Sequence, residues 1–266
     1  MNKKELTCGL VLAALVAVLV IMGWLPLANA IGLLGVACLA WFFRKEELNR
    51  WIKVGLFFLL APLAFWVASY EPEEFAYPLL FSLPGDDGEP ARYELSVDFA
   101  KGIAGFLLLY LLWPKRAKNE FIAGKWISIS VLLLAPLLII GIAILGLGLQ
   151  WQPKSIEQIL QFAMVSLLIT CVAEEVFMRF LFQQNLSNAV ASFTTNRALQ
   201  EIIPLLLVTF VFVAIHAGIS GAAVWVYALA GFLYGLSYTL GKNILYPIAI
   251  HFLVNQIHFS FLTYPL

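Results

Sequence analysis

Residues 162–182, FAMVSLLITCVAEEVFMRFLF, form an apolar run broken deep inside by two adjacent glutamates and, four residues after the second, an arginine. A run of this length suits a helix crossing a hydrocarbon core about 30 Å thick. Ionised groups at mid-bilayer cost about 2.5–3.5 kcal/mol each on insertion scales, so they persist where they face a protein interior. On a helix Glu175 and Arg179 stand at i and i+4 on one face, with the acid N-terminal, the favourable order for an ion pair. Glu174 lies about 100° further round, away from Arg179. With no partner in its own span, it reads as an unpaired carboxyl suited to take and return a proton.

Working outward, the rest of the 266-residue chain is of the same kind: 62% of residues are hydrophobic and 12% charged. Ordinary soluble domains are nearer 45–50% apolar and 25% charged. Nine apolar stretches are long enough to be spans, at about 8–24, 27–43, 52–69, 97–113, 127–149, 158–187, 201–216, 221–240 and 244–263. The first two are joined only by the turn around Pro26 and read equally as a hairpin that does not fully cross, leaving eight. The expected fold is therefore all-α, a polytopic transmembrane bundle of eight or nine spans. Residues 1–156 form its N-terminal spans and 157–266 the bundle that carries the buried polar groups.

Lys3 and Lys4 precede the first span, and Ala28-Asn29-Ala30 resembles a signal-peptide cleavage site. The 17-residue run from Cys8 to Trp24 exceeds the usual 7–15 of such a peptide, so the first span is expected to be retained. Cytoplasmic loops carry the excess of positive side chains. With the N-terminus inside, the cytoplasmic segments and adjoining span ends hold Lys3, Lys4, Arg44, Lys45, Arg50, Lys53, Lys115, Arg116, Lys118, Lys125, Arg197 and Lys242, twelve of the sixteen bases. The expected setting is a bacterial cytoplasmic membrane with a cytoplasmic N-terminus. The sixteen acids balance the bases, which leaves no basic excess for nucleic acid. Eight acids lie between Tyr70 and Asp98, a stretch broken by Pro72, Pro84, Gly85, Gly88 and Pro90 that reads as a solvated outside loop, with a cap over the site as its functional alternative. Cys8, Cys38 and Cys171 show no paired spacing. Cys171 shares the face of Glu174, but a buried thiol in apolar surroundings is inert rather than nucleophilic.

Two further spans carry polar groups. The seventh ends in Phe212-Val-Ala-Ile-His216, and the ninth holds His251-Phe-Leu-Val-Asn255 with His258 beyond. His251 and Asn255, at i and i+4, present two hydrogen-bond donors to one side, the arrangement that stabilises a developing oxyanion. His216 can orient a water beside Glu174 or hold a metal. His258, near a helix end, reads as an interfacial or satisfied side chain.

These residues resemble the CPBP intramembrane proteases, the family of CAAX prenyl endopeptidases and of bacterial relatives linked to bacteriocin self-immunity. Its motifs Glu-Glu-x-x-x-Arg, Phe-x-x-x-His and His-x-x-x-Asn occur in order as Glu174-Glu175-Val-Phe-Met-Arg179, Phe212 to His216 and His251 to Asn255. A glycine-bearing helix with Gly231, Gly235, Thr239 and Gly241 lies between the last two. The resemblance covers about residues 157–258. It implies an endopeptidase acting on a membrane-associated protein or peptide, with Glu174 and His216 activating water, His251 and Asn255 forming the oxyanion site, and Glu175 with Arg179 in support. Metal use stays open: the reaction runs with no cofactor, or with a divalent metal such as zinc on Glu174, His216 and His251. The competing readings are a non-catalytic scaffold or immunity protein, and an ion-coupled transporter relaying protons through the same groups. By the topology above, His216 and His251 differ in depth by roughly 10–15 Å. The short link rich in small residues after His216 is therefore expected to dip into the membrane and bring them together.

Overall fold

The computed structural model of the chain describes residues 3–85, 91–113, 124–216 and 218–265. Of the features named above, Asp86, Asp87, Gly88, Glu89, Pro90, Lys115, Arg116, Lys118 and Ala217 lie outside the described residues, as do the side chains of Lys3, Lys4, Cys8 and Lys125. Nine helices run through the described residues: α1 (Lys3–Ile21), α2 (Leu27–Phe43), α3 (Arg50–Ser69), α4 (Phe99–Leu112), α5 (Lys125–Leu147), α6 (Ile156–Ala191), α7 (Arg197–Ile215), α8 (Ala223–Gly241) and α9 (Leu245–Phe261). They coincide with the nine expected stretches to within a few residues. By length and apolar composition α3, α5, α6, α7 and α8 are able to cross a membrane, while α1, α2 and α4 are shorter apolar helices. The protein is an all-α integral membrane protein.

Helix starts follow local capping chemistry. Asn49 Oδ1 accepts from the Trp51 amide at 2.8 Å, Asp98 Oδ1 from the Lys101 amide at 2.9 Å, and Asn196 Oδ1 from the Ala198 amide at 3.0 Å. Ser155 and Gln158 make a reciprocal capping box at the head of α6. Two apolar cores share α6. One joins it to α2, α3 and α4 through Leu60, Val67, Ala100, Leu108 and Val176; the other joins it to α5, α7, α8 and α9 through Ile139, Met178, Val208, Phe212 and Ile250. Close approach to α6 depends on Gly105 of α4, where a Cβ would lie 2.6 Å from the Ala173 Cα.

Within α6 the winding is not uniform. Ser166–Cys171 and Phe177–Gln183 are π-helical, and the short α-helical stretch Val172–Val176 between them holds both glutamates. Such widened turns are rare and concentrate at functional sites.

The acidic stretch differs from the solvated loop that its prolines and glycines suggest. Leu79–Leu83 and Tyr93–Ser96 pair as antiparallel strands β1 and β2 with a bulge near Leu79. Leu83 and Leu95 tuck inward with Phe162 and Phe259, and Tyr93 packs on Tyr264 with ring centroids 4.7 Å apart. Glu71, Glu73, Glu74 and Glu94 stay exposed. The turn formers and acids mask the alternate apolar residues that dock the hairpin over the ends of α6 and α9.

Candidate active site

Glu175 and Arg179 pair as their spacing required, with Arg179 Nε donating to Glu175 Oε2 at 2.8 Å and both side chains fully buried. The other carboxylate oxygen takes a partner that no local reading could supply: His251 Nδ1 donates to Glu175 Oε1 at 2.9 Å, across 76 residues. Because a carboxylate only accepts, this bond sets the His251 tautomer, with the proton on Nδ1 and Nε2 turned toward Glu174, whose Oε2 is 4.0 Å away. Tyr234 of α8 stacks on the imidazole at 4.8 Å and 17°, holding its plane.

The expectation of an unpaired Glu174 is overturned. Lys101 Nζ donates to Glu174 Oε1 at 2.7 Å, and both side chains are about one-fifth to one-quarter exposed. The partner escaped notice because it belongs to α4, 73 residues upstream, on a turn read as a span end. Spacing within one helix carries no signal for such a contact.

His216 caps α7, and its Nδ1 donates to the Phe212 carbonyl at 2.7 Å, so in the neutral ring Nε2 is the acceptor. Phe212 packs against both histidines, its ring centroid 4.7 Å from that of His216 and 6.3 Å from that of His251. Asn255, one turn beyond His251, brings Nδ2 to 3.8 Å from the Cys171 sulfur. Glu174, His216, His251 and Asn255 all line one cavity of about 470 Å³, together with Tyr227 and Tyr234. A second cavity of about 290 Å³, walled by Lys101, Ala104, Gly105 and Phe177, meets the first at Glu174 and His216. The four residues expected to act together are therefore gathered, despite the depth difference read from the spans.

A further polar layer supports Arg179. Its Nη1 donates to Gln183 Oε1 at 3.0 Å, and Gln183 Nε2 donates to the Gly235 carbonyl at 3.1 Å and to Thr239 Oγ1 at 2.9 Å. Gln183 was not singled out by sequence; its place one i+4 step beyond Arg179 was the available signal. The glycines of α8 make the layer possible: a Cβ at Gly235 would lie 2.6 Å from Leu205 Cδ1 and 3.0 Å from Arg179 Nη1, and one at Gly231 would lie 2.8 Å from the Phe212 ring.

Among the described residues no three His, Cys, Asp or Glu side chains are grouped to hold one ion. Of the candidate ligands, Glu174 meets the Lys101 ammonium, and His251 has Nδ1 on Glu175 with Nε2 turned toward Glu174. His258 is satisfied, as expected, with Nε2 donating to the Thr263 carbonyl at 3.0 Å. Cys171 is fully buried beside Ser166, 3.7 Å from its hydroxyl.

Residues 156–257, which supply Glu174, Glu175, Arg179, Gln183, His216, Tyr234, His251 and Asn255, match the family model described as type II CAAX prenyl endopeptidase Rce1-like. This stretch is Rce1-like. The match bears out the resemblance carried by the three motifs, and it begins at the head of α6 and ends within α9. No curated protein and no solved structure matches the chain. The Rce1-like region thus contains Glu174, Glu175, His216, His251 and Asn255, while α4 and its lysine lie outside it.

Proposed function

We propose that the protein is an intramembrane endopeptidase that hydrolyses a peptide bond of a membrane-associated protein or peptide, with Glu174 as general base. The observation that carries this reading is the gathering of Glu174, His216, His251 and Asn255, from three separate helices of the Rce1-like region, around one cavity. Water held between Glu174 Oε2 and His216 Nε2 gives a proton to the carboxylate as its oxygen attacks the scissile carbonyl carbon. The oxyanion that forms is met by Asn255 Nδ2 and His251 Nε2. With Nδ1 committed to Glu175, His251 donates from Nε2 only as the imidazolium. Collapse of the tetrahedral intermediate breaks the C–N bond, and the proton on Glu174 passes to the leaving amine. No covalent enzyme intermediate forms.

On this reading residues 157–266 are the catalytic bundle, and residues 1–156 add the spans beside it. The distribution of Lys and Arg supports a cytoplasmic N-terminus in a bacterial cytoplasmic membrane. The test is comparison of protein termini in membrane fractions from cells carrying wild type and Glu174→Gln. Termini present only with wild type are expected; identical termini would remove the protease reading and leave a scaffold.

A further inference from the structure

Asp98, Lys101 and Gly105 form a short device on α4 that aims one ammonium at Glu174. Asp98 caps the helix by accepting from the Lys101 amide at 2.9 Å, which fixes where the lysine side chain leaves the backbone. One turn on and on the same face, Gly105 brings the α4 backbone against Ala173, the residue before Glu174. The lysine then reaches Glu174 Oε1 at 2.7 Å. The other donors in this layer are separately accounted for, since Arg179 Nε and His251 Nδ1 are both held by Glu175.

We propose that Lys101 is a positioning residue for Glu174, contributed by the part of the chain outside the Rce1-like match. It occupies Oε1 and leaves Oε2, the oxygen nearer His251, as the one that takes the proton from water. The ammonium also compensates the negative charge of the carboxylate in this layer. This inference rests on the proposed role of Glu174, and its test separates the two.

The full chain, purified in detergent, is treated at pH 7 with dicyclohexylcarbodiimide, which reacts with protonated carboxyl groups in apolar surroundings, and labelling of Glu174 is read by mass spectrometry. Lys101→Met is expected to raise labelling at least tenfold over wild type and to remove the wild-type-specific termini. Lys101→Arg, which keeps the charge, is expected to stay near wild type in labelling and to restore part of the cleavage. Wild-type labelling in a folded Lys101→Met, or altered labelling with cleavage unchanged, overturns the proposal. If Lys101→Met does not fold, Glu174→Gln is added to it: recovery of folding supports the pairing, and continued failure assigns Lys101 a purely structural role and overturns it. If Glu174→Gln alone changes no termini, the protease reading fails, and the labelling still decides whether Lys101 sets the state of Glu174.

Discussion

Replacing Glu175 by glutamine removes the charge on which Arg179 and His251 converge. Glu175 and Arg179 are both fully buried, and Arg179 Nη2 finds no hydrogen-bond acceptor among the described residues, so the guanidinium depends on this carboxylate for its charge compensation. Taking one partner from a buried pair costs about 3–5 kcal/mol, because the other charge is left uncompensated. For a chain of 266 residues, about 2 °C of melting temperature is lost per kcal/mol, so Glu175→Gln is expected to lower Tm by roughly 6–10 °C. Arg179→Met should cost a similar amount by stranding the carboxylate. The double variant removes both charges together and should fall well short of the sum, with a coupling of about 3 kcal/mol. Tryptophan fluorescence during heating, at one scan rate and in one detergent, reads all four proteins. Additivity of the two single shifts to within about 1 °C would refute the argument, since it would mean that the pair is not a charge-compensated unit.

Two further outcomes follow from the same geometry. Gly231→Ala drives a methyl into the Phe212 ring that packs against His216 and His251; it should cost about 1–3 kcal/mol of stability, and Phe212→Leu in the same chain should recover part of the melting temperature. Asn255→Ala truncates a part-buried side chain whose one hydrogen bond among the described residues is a long one to sulfur, so folded yield should hold while the rate of appearance of wild-type-specific termini falls about 100- to 1000-fold, measured by quantitative mass spectrometry; unchanged rates would take Asn255 out of the oxyanion site.

What could be read along the chain was what depends on neighbours in sequence. Apolar runs marked the helices because a lipid solvent demands them almost continuously, and the i, i+4 rule paired Glu175 with Arg179 before any fold was known. The same rule put Glu174 on another face, and the order and spacing of the three motifs singled out residues that the fold gathers around one cavity. Strands β1 and β2 were hidden by the prolines, glycines and acids around them, whose local signal outweighed a few alternating apolar residues.

The tertiary structure decided the contacts that no periodicity encodes. The bond from His251 to Glu175 spans 76 residues and that from Lys101 to Glu174 spans 73. Each joins different helices, so it depends on how those helices pack, and the packing is set by the Gly105 approach to Ala173 and by the α8 glycines beneath Phe212 and Arg179. Glu174 looked solitary because a helix turn exposes a sequence reading only to residues three or four positions away. Its charge partner lies on another helix, and only the fold brings the two within reach.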